Sequence, residues 1–243
     1  MNNNSFEIVE RGNIIIKCVN SSFIVDSKKD AIQKIWNEEC KNKNYKLFNG
    51  EALSIVDIHK EGRNIIVNTK FTEYKNILAS RKNPQLGLNI KQLGVSGITI
   101  VDHQKKFILF SARSADTTEY PGYLELVPSG NIDKSVLLND GTVDYISKIK
   151  EEFKEETGLS PTDIKDVKSF CLVYDKVNQV FDVGCLIYLD IEVKEIIKSF
   201  NKVSEYGIPE LVPREALTDF MKQNQQKIVP TSLAILECFI NMN

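Results

Sequence analysis

The chain has 243 residues, 42% of them hydrophobic and 26% charged, with a formal net charge of −2. That is the composition of an ordinary globular protein, long enough to hold two cores. A balance so near neutral supplies no excess of cations to displace counterions, which argues against a nucleic-acid polyanion as the main partner. The five cysteines include no C-x-x-C pair, and only His59 and His103 could supplement them, so zinc-site spacing is absent. Scattered thiols of this kind read as small buried apolar residues in a reducing compartment. Residues 1–10 are polar and acidic, and no apolar run approaches the roughly 20 residues needed to span a bilayer. The expectation is a cytoplasmic protein with no membrane partner.

In chain order, Asn13 to Val19 and Ser22 to Val25 have the β-branched content of strands. A helix capped by Asp26 or Ser27 is expected as far as about Cys40, because Ala31, Ile32, Ile35, Trp36 and Cys40 follow helical spacing. The single tryptophan, Trp36, reads as a core residue. Leu53 to His59 and Asn64 to Asn68 suggest a hairpin around Lys60 to Arg63, and a short helix, Thr72 to Ser80, follows. Arg81 to Gly87 is rich in turn residues and lacks apolar periodicity, so the domain boundary is expected there. Residues 1–87 then form a small α+β domain and residues 88–243 a second domain.

Beyond that turn, Val95 to Val101, Phe107 to Ser111 and Tyr123 to Val127 read as strands. A helix from Thr142 to Thr157, capped by Asp140 or Thr142, carries the core stripe Val143, Ile146, Ile149 and Phe153. Gly158 stands where a left-handed C-terminal residue is wanted, and Pro161 prevents continuation. Phe170 to Tyr174 and Val180 to Ile191 form a hairpin. Helices over Pro213 to Gln223 and Pro230 to Asn241 close the chain, each with proline near its first turn.

The chemistry concentrates on the end of the helix ending at Thr157. Residues three and four apart share a helix face, so Glu152, Glu155 and Glu156 are expected to present their carboxylates as one cluster off the core stripe. Three like charges on one turn ask for a cation, and carboxylate oxygens are the hard ligands that Mg²⁺ prefers. Acid near a helix C-terminus also opposes the macrodipole, so purely structural selection does not favour this placement. The plainer alternative is a solvated acidic helix end.

Glu152 to Leu159, together with Tyr120 to Gly130 upstream, resembles the Nudix hydrolases: the first run matches the end of their box motif (R-E-U-x-E-E-x-G-U, U apolar), the second the strand and Pro-x-Gly turn leading into it. Two departures stand out. Glu151 replaces the box arginine, and Val143 occupies the place of the first box glutamate. The spacing from Gly130 also implies an insertion of about Ile132 to Asn139. The resemblance implies an α/β fold, a Nudix α/β/α sandwich with a mixed sheet, preceded here by the small α+β domain. It implies Mg²⁺- or Mn²⁺-dependent hydrolysis of a nucleoside diphosphate linked to a second moiety, with Glu152, Glu155 and Glu156 as metal ligands and catalytic groups. The carbonyls of Pro128 to Gly130 are placed to assist in holding metal, as they do in relatives. Arg113 stands where relatives hold an arginine facing the substrate phosphates, the alternative being a surface arginine. Glu205 stands in a loop where several relatives place a water-activating glutamate, the alternative being an exposed loop acid. In relatives the box arginine holds a catalytic glutamate by a salt bridge; Lys148 or Lys150 is left to compensate, without the bidentate geometry.

A finer resemblance, carried by Leu47 to Leu53, Phe71 to Lys75 and Leu93 to Gly97, is to a two-part Nudix subgroup that hydrolyses UDP-glucose and UDP-galactose and also lacks the box arginine. It implies a UDP-sugar cleaved to UMP and sugar 1-phosphate. Tyr74 is then a candidate contact to base or sugar, the alternative being a core aromatic. Leu124 to Gly130 also resembles the corresponding strand of ADP-ribose pyrophosphatases, and the lost arginine and glutamate leave open a non-catalytic nucleotide-binding module.

Overall fold

In a computed structural model, which describes residues 5–19, 26–42, 47–101, 106–200 and 209–242, the strand β5 (Gln92–Val101) is buried at every position. Its run of Val, Ile, Thr and Gly without polar alternation fits a strand covered on both faces. Along one edge β10 (Val180–Leu189) runs parallel to it. Outward from β10 come β9 (Ile164–Asp175) and then β1 (Phe6–Arg11), both antiparallel to their neighbours.

The other edge of β5 is divided among three strands. β3 (Glu51–Glu61) takes Gln92 and Leu93, β8 (Ser129–Asn131) takes Gly94 to Ser96, and β6 (Phe107–Ala112) takes Ile100 and Val101. Beyond β3 lie β4 (Asn64–Glu73) and β2 (Asn13–Cys18), while β6 also pairs β7 (Leu124–Leu126) and β11 (Glu210–Pro213). The described strands form one mixed sheet of eleven.

Alternate residues of β10 feed two cores, as a strand's two-residue period requires. Val183, Cys185 and Ile187 join the cluster that holds Ile149 and Phe153 of α3 (Tyr145–Thr157), and Leu186 joins the one that holds Leu233 to Leu236 of α6 (Pro230–Ile240). α4 (Val193–Phe200) lies against α3, and α5 (Leu217–Asn224) belongs to the α6 side. α1 (Lys29–Glu39) and α2 (Tyr74–Lys82) pack on each other over a smaller core of Ile32, Ala52, Ile77, Ala79, Leu88 and Ile90. This is a mixed α/β architecture with helices on both faces of the sheet. Among the described residues no helix is long and apolar enough to cross a membrane.

The expected break at residue 87 is corrected by the hydrogen bonding. β1 extends the sheet at β9, β3 pairs with β5, and Ile14, Ile16, Leu53, Ile65 and Val67 share one core with Leu93, Val95 and Phe153. Strand edges with unpaired N–H and C=O groups seek partners, and β5 offers its edge to β3. Arg81 to Gly87 is the end of α2 and one turn of 3₁₀ helix, Pro84–Leu86. The segment after Gly130, expected from the resemblance to be an insertion, is likewise built into this junction. The Leu53 N–H donates to the Ile132 carbonyl at 3.0 Å, the Val143 N–H donates to the Ile16 carbonyl at 3.0 Å, and Ile132, Val136 and Val143 are core residues. Val143, expected from the resemblance to stand in the place of a box glutamate, is a buried apolar residue bonded to β2 just ahead of α3.

α3 begins three residues later than expected, at Tyr145, with Asp144 rather than Asp140 or Thr142 as its cap: its carboxylate accepts from the Ser147 N–H at 3.1 Å. Asp140 serves the preceding turn, accepting from the Thr142 N–H at 2.9 Å. Gly158 does adopt the left-handed conformation, at φ 70°. Ser22 to Val25 lie outside the described residues.

Because the two expected domains share one core, we expect Trp36 fluorescence, which reports the N-terminal part, and far-UV circular dichroism to give coincident urea transitions. Leu53→Ala, at the β3–β5 junction, should lower stability by about 2–5 kcal/mol and move both transitions together. A separate early Trp36 transition would restore an independent N-terminal domain.

Candidate active site

β8 is three residues long, and it sets the floor of a cleft of about 1090 Å³. Its Ser129 and Gly130 face the last two turns of α3. The Ser129 N–H donates to Glu156 Oε2 at 3.1 Å. Glu152 lies so close over Gly130 that a Cβ there would stand 2.2 Å from its Cδ. A side chain at 130 and a carboxylate at 152 exclude each other, so glycine is required for close approach.

The three candidate glutamates part company. Successive helix residues turn by about 100°, which puts Glu156 about 40° from Glu152 on the side of the core residues Ile149 and Phe153, and Glu155 about 60° away on the other side. Glu156 is accordingly 2% exposed, Glu152 is half-buried, and both line the cleft. Glu155 is exposed and lies outside it. The expectation of one cluster off the core stripe is corrected on both counts.

Lys148, one turn before Glu152, sits with its side chain 12% exposed. Its Nζ is 3.0 Å from Glu152 Oε1, 3.0 Å from Asp133 Oδ2 and 3.7 Å from Glu151 Oε2. Burial works against the ammonium charge, but the hydrogen bond to Asp133 and the field of Glu152 outweigh it and hold the Lys148 pKa above the usual lysine value. Of the two lysines that the resemblance offered in place of an arginine, Lys148 is the one paired with Glu152. Asp133, its second partner, comes from the connection between β8 and α3.

Arg113 lines the cleft as expected, but its guanidinium is tied to protein groups. Nη1 donates to both oxygens of the buried Glu125, at 2.7 and 2.6 Å, and Nε donates to the Glu119 carbonyl at 3.0 Å. A fork suited to a phosphate is suited equally to a carboxylate. Glu119 is also paired with Arg81, and Tyr120 donates to Asp175 Oδ2 at 2.7 Å, so the segment between Arg113 and Tyr120, which lines the cleft, is fastened at both ends. Tyr74 lines the cleft too; its half-buried ring meets the half-buried Trp36 edge-on, with centroids 6.4 Å apart. Glu205 lies outside the described residues. Tyr74, Arg113, Glu152 and Glu156 thus meet in one cleft.

Sequence reasoning passed over Asp182 and Glu125. Asp182, 6% exposed on β10, lines the cleft beside Gly94, where a Cβ would stand 2.5 Å from its Oδ1. Burial, and then the nearby Glu125 charge, raise its pKa to about 7 against hydroxyl donation from Thr231 and Ser96. The Ser96 hydroxyl lies 3.2 Å from Asp182 Oδ2 and 2.8 Å from Ser129 Oγ, which links Asp182 to the floor under the α3 glutamates. In a single sequence an aspartate within a buried apolar strand was the available signal, because such a group is seldom buried without a reason.

Among the described residues no three His, Cys, Asp or Glu side chains form a group placed to hold a metal ion by themselves. Of the carboxyls that line the cleft, Glu152 and Glu156 are the two that α3 sets against β8. That number suits Mg²⁺, which is commonly held by one or two carboxylates, waters and substrate phosphates rather than by an all-protein cage.

No protein-family model and no curated protein matches the chain. Among solved structures it is similar to the crystal structure of DR0079 from Deinococcus radiodurans, at 12% identity and a TM-score of 0.43, over 60% of this chain and 82% of that one.

The Asp182 environment has a pH consequence. An unfolded aspartate titrates near ~3.9 and the folded Asp182 near about 7. Between those values the native state keeps a proton that the unfolded state has released. The stabilisation is therefore fully present below about pH 4 and is lost as pH rises through about 7. Thermal unfolding followed from pH 4 to 8 should show wild type losing stability relative to Asp182→Asn, by on the order of a few kcal/mol. Parallel pH profiles would refute the assignment.

Proposed function

We propose that the protein is a hydrolase of Nudix type, built on an α/β/α sandwich, that cleaves a nucleoside diphosphate linked to a second moiety. The substrate we favour is a UDP-sugar, with water added across the diphosphate to give UMP and a sugar 1-phosphate. The observation that carries this reading is the pairing of Glu152 and Glu156 against Ser129 and Gly130 at the floor of a cleft that also takes in Arg113 and Tyr74.

The charge of the cleft supports it. Among the described residues, nine carboxyl side chains line it against two cations, Arg113 and Lys148. A bare diphosphate would be repelled there, whereas a diphosphate carrying a divalent cation brings the missing positive charge. Glu152 and Glu156 are the residues that would hold Mg²⁺ or Mn²⁺. When bound, such a cation supplies charge neutralisation on the phosphoryl oxygens and a more acidic water.

The chain's own residues supply the rest. Lys148 fixes the Glu152 carboxylate by charge-assisted contact, so little reorganisation is left for the moment of reaction. Arg113 orients Glu125 and ties down the segment that covers the diphosphate. Asp182 carries a proton into the neutral range and offers a hydrogen-bond donor among carboxylates that can only accept. Glu205 remains the proposed water-activating loop acid.

The test is turnover of UDP-glucose and ADP-ribose with Mg²⁺, products identified by mass. We expect kcat/KM to favour UDP-glucose, Glu152→Gln and Glu156→Gln to lose at least about a hundredfold in kcat, and Glu155→Gln to stay within a few-fold of wild type. Lys148→Met should lower kcat more than it raises KM, because it acts on the orientation of Glu152. A preference for ADP-ribose would move the substrate assignment to that class. No cleavage of either, with nucleotide still bound, would make the protein a binding module.

A further inference from the structure

Phe48 is 83% exposed, the most exposed of the large hydrophobic side chains among the described residues and the one aromatic among them. A single surface apolar residue needs no explanation by itself. Phe48 differs from Val56, Leu138, Val177, Ile197 and Met242, the others so exposed, because it alone of these lines the cleft.

Its segment is also braced. The Gly50 carbonyl accepts from the Tyr74 N–H at 2.9 Å, Asn49 Oδ1 accepts from the Lys75 N–H at 2.9 Å, and Asn49 Nδ2 donates to Glu73 Oε2 at 2.6 Å. These bonds pin residues 49 and 50 to the first turn of α2, where two otherwise orphaned N–H groups gain partners. The Phe48 ring lies over Gly50, where a Cβ would stand 2.9 Å from its Cε1. The ring is thus held exposed beside the cleft by a backbone fixed to the first turn of α2, which begins at Tyr74.

We propose that Phe48, with Tyr74 on the same wall, is the stacking platform for the planar base of the nucleotide. The inference rests on the reading of the cleft as a nucleotide site and adds which wall takes the base. The acidic floor cannot attract an uncharged heterocycle, whereas an exposed ring with one open face can stack any base. The phosphates then run inward toward Glu152 and Glu156, and the second moiety lies under the segment from Ser114 to Tyr120.

Calorimetric titration with Mg²⁺ present tests this with two probes, UMP and ribose 5-phosphate, which share the sugar phosphate and differ in the base. We expect wild type to bind UMP more tightly. Phe48→Ala should weaken UMP by at least about fivefold and ribose 5-phosphate by less than about twofold, and Phe48→Trp should retain or tighten UMP. Equal loss for both probes, no loss for UMP, or a wild type that does not distinguish them overturns the platform while leaving the hydrolase reading standing if UDP-glucose is still cleaved. A change of oligomeric state in Phe48→Ala with UMP affinity unchanged overturns it in favour of a contact between copies. A wild type that binds neither probe and cleaves no nucleotide overturns the hydrolase reading as well.

Discussion

The edge of β5 is the constraint from which the rest of the structure follows. One strand of ten residues must satisfy its hydrogen-bonding groups on both sides, since buried N–H and C=O groups left unpaired cost about 1–3 kcal/mol each. β10 supplies one side almost throughout; the other is met in turn by β3, β8 and β6. Each of these short pairings fixes something larger. β3 brings the N-terminal strands and α2 to the cleft, β8 aims Ser129 and Gly130 at α3, and β6 leads into Arg113 and the segment after it that lines the cleft. Gly94 and Gly130 stand one register step apart across this junction, opposite Asn131 and Val95, and the space their missing side chains leave is filled by the carboxyls of Asp182 and Glu152.

That arrangement gives the segment after Gly130 a use. Glu151 is an acid and cannot anchor the neighbouring Glu152. Lys148 stands one turn back on the same face and reaches Glu152, but a lone lysine is a flexible point charge. Asp133 supplies a second contact that fixes where the ammonium sits, and Ile132 and Val136 seat this segment in the core that also holds Leu53 of β3. The position of the lysine is thus fixed by a partner from the connection between β8 and α3 as well as by its own helix.

How much of this was legible in the sequence depended on range. Local signals carried well: the β-branched runs, the hairpin over Lys60 to Arg63, Gly158 at the end of α3 and Pro230 at the start of α6 all stand where short-range chemistry puts them. Failures arose where one segment's edge met another's. β1, β8 and β11 are short strands formed by tertiary pairing, and the turn-rich look of Arg81 to Gly87 concealed a sheet that passes the supposed boundary through β3 and β5. The site followed the same rule. Spacing put Glu152, Glu155 and Glu156 on one turn, but the buried side of α3 is fixed by Ile149 and Phe153, and only Glu152 and Glu156 lie toward it and the cleft. Asp182 and Glu125 come from strands far apart in the chain, so their proximity had no local signature.

Two of the buried carboxyls of the cleft show how one floor holds unlike charges. Glu125 and Asp182 have similar exposure, 4% and 6%, yet different partners. Arg113 grips both oxygens of Glu125 and satisfies its charge where it lies. Asp182 has hydroxyls instead, and feels Glu125 as a like charge. A carboxyl that is desolvated, beside another carboxylate and without a cation is the one that keeps its proton. Moving a cation-bearing ligand into the cleft would reverse that preference, because new positive charge near Asp182 favours its ionised form. Proton release from the floor and occupation of the cleft are therefore linked equilibria, and the direction of that linkage follows from Arg113 having been given to Glu125 rather than to Asp182.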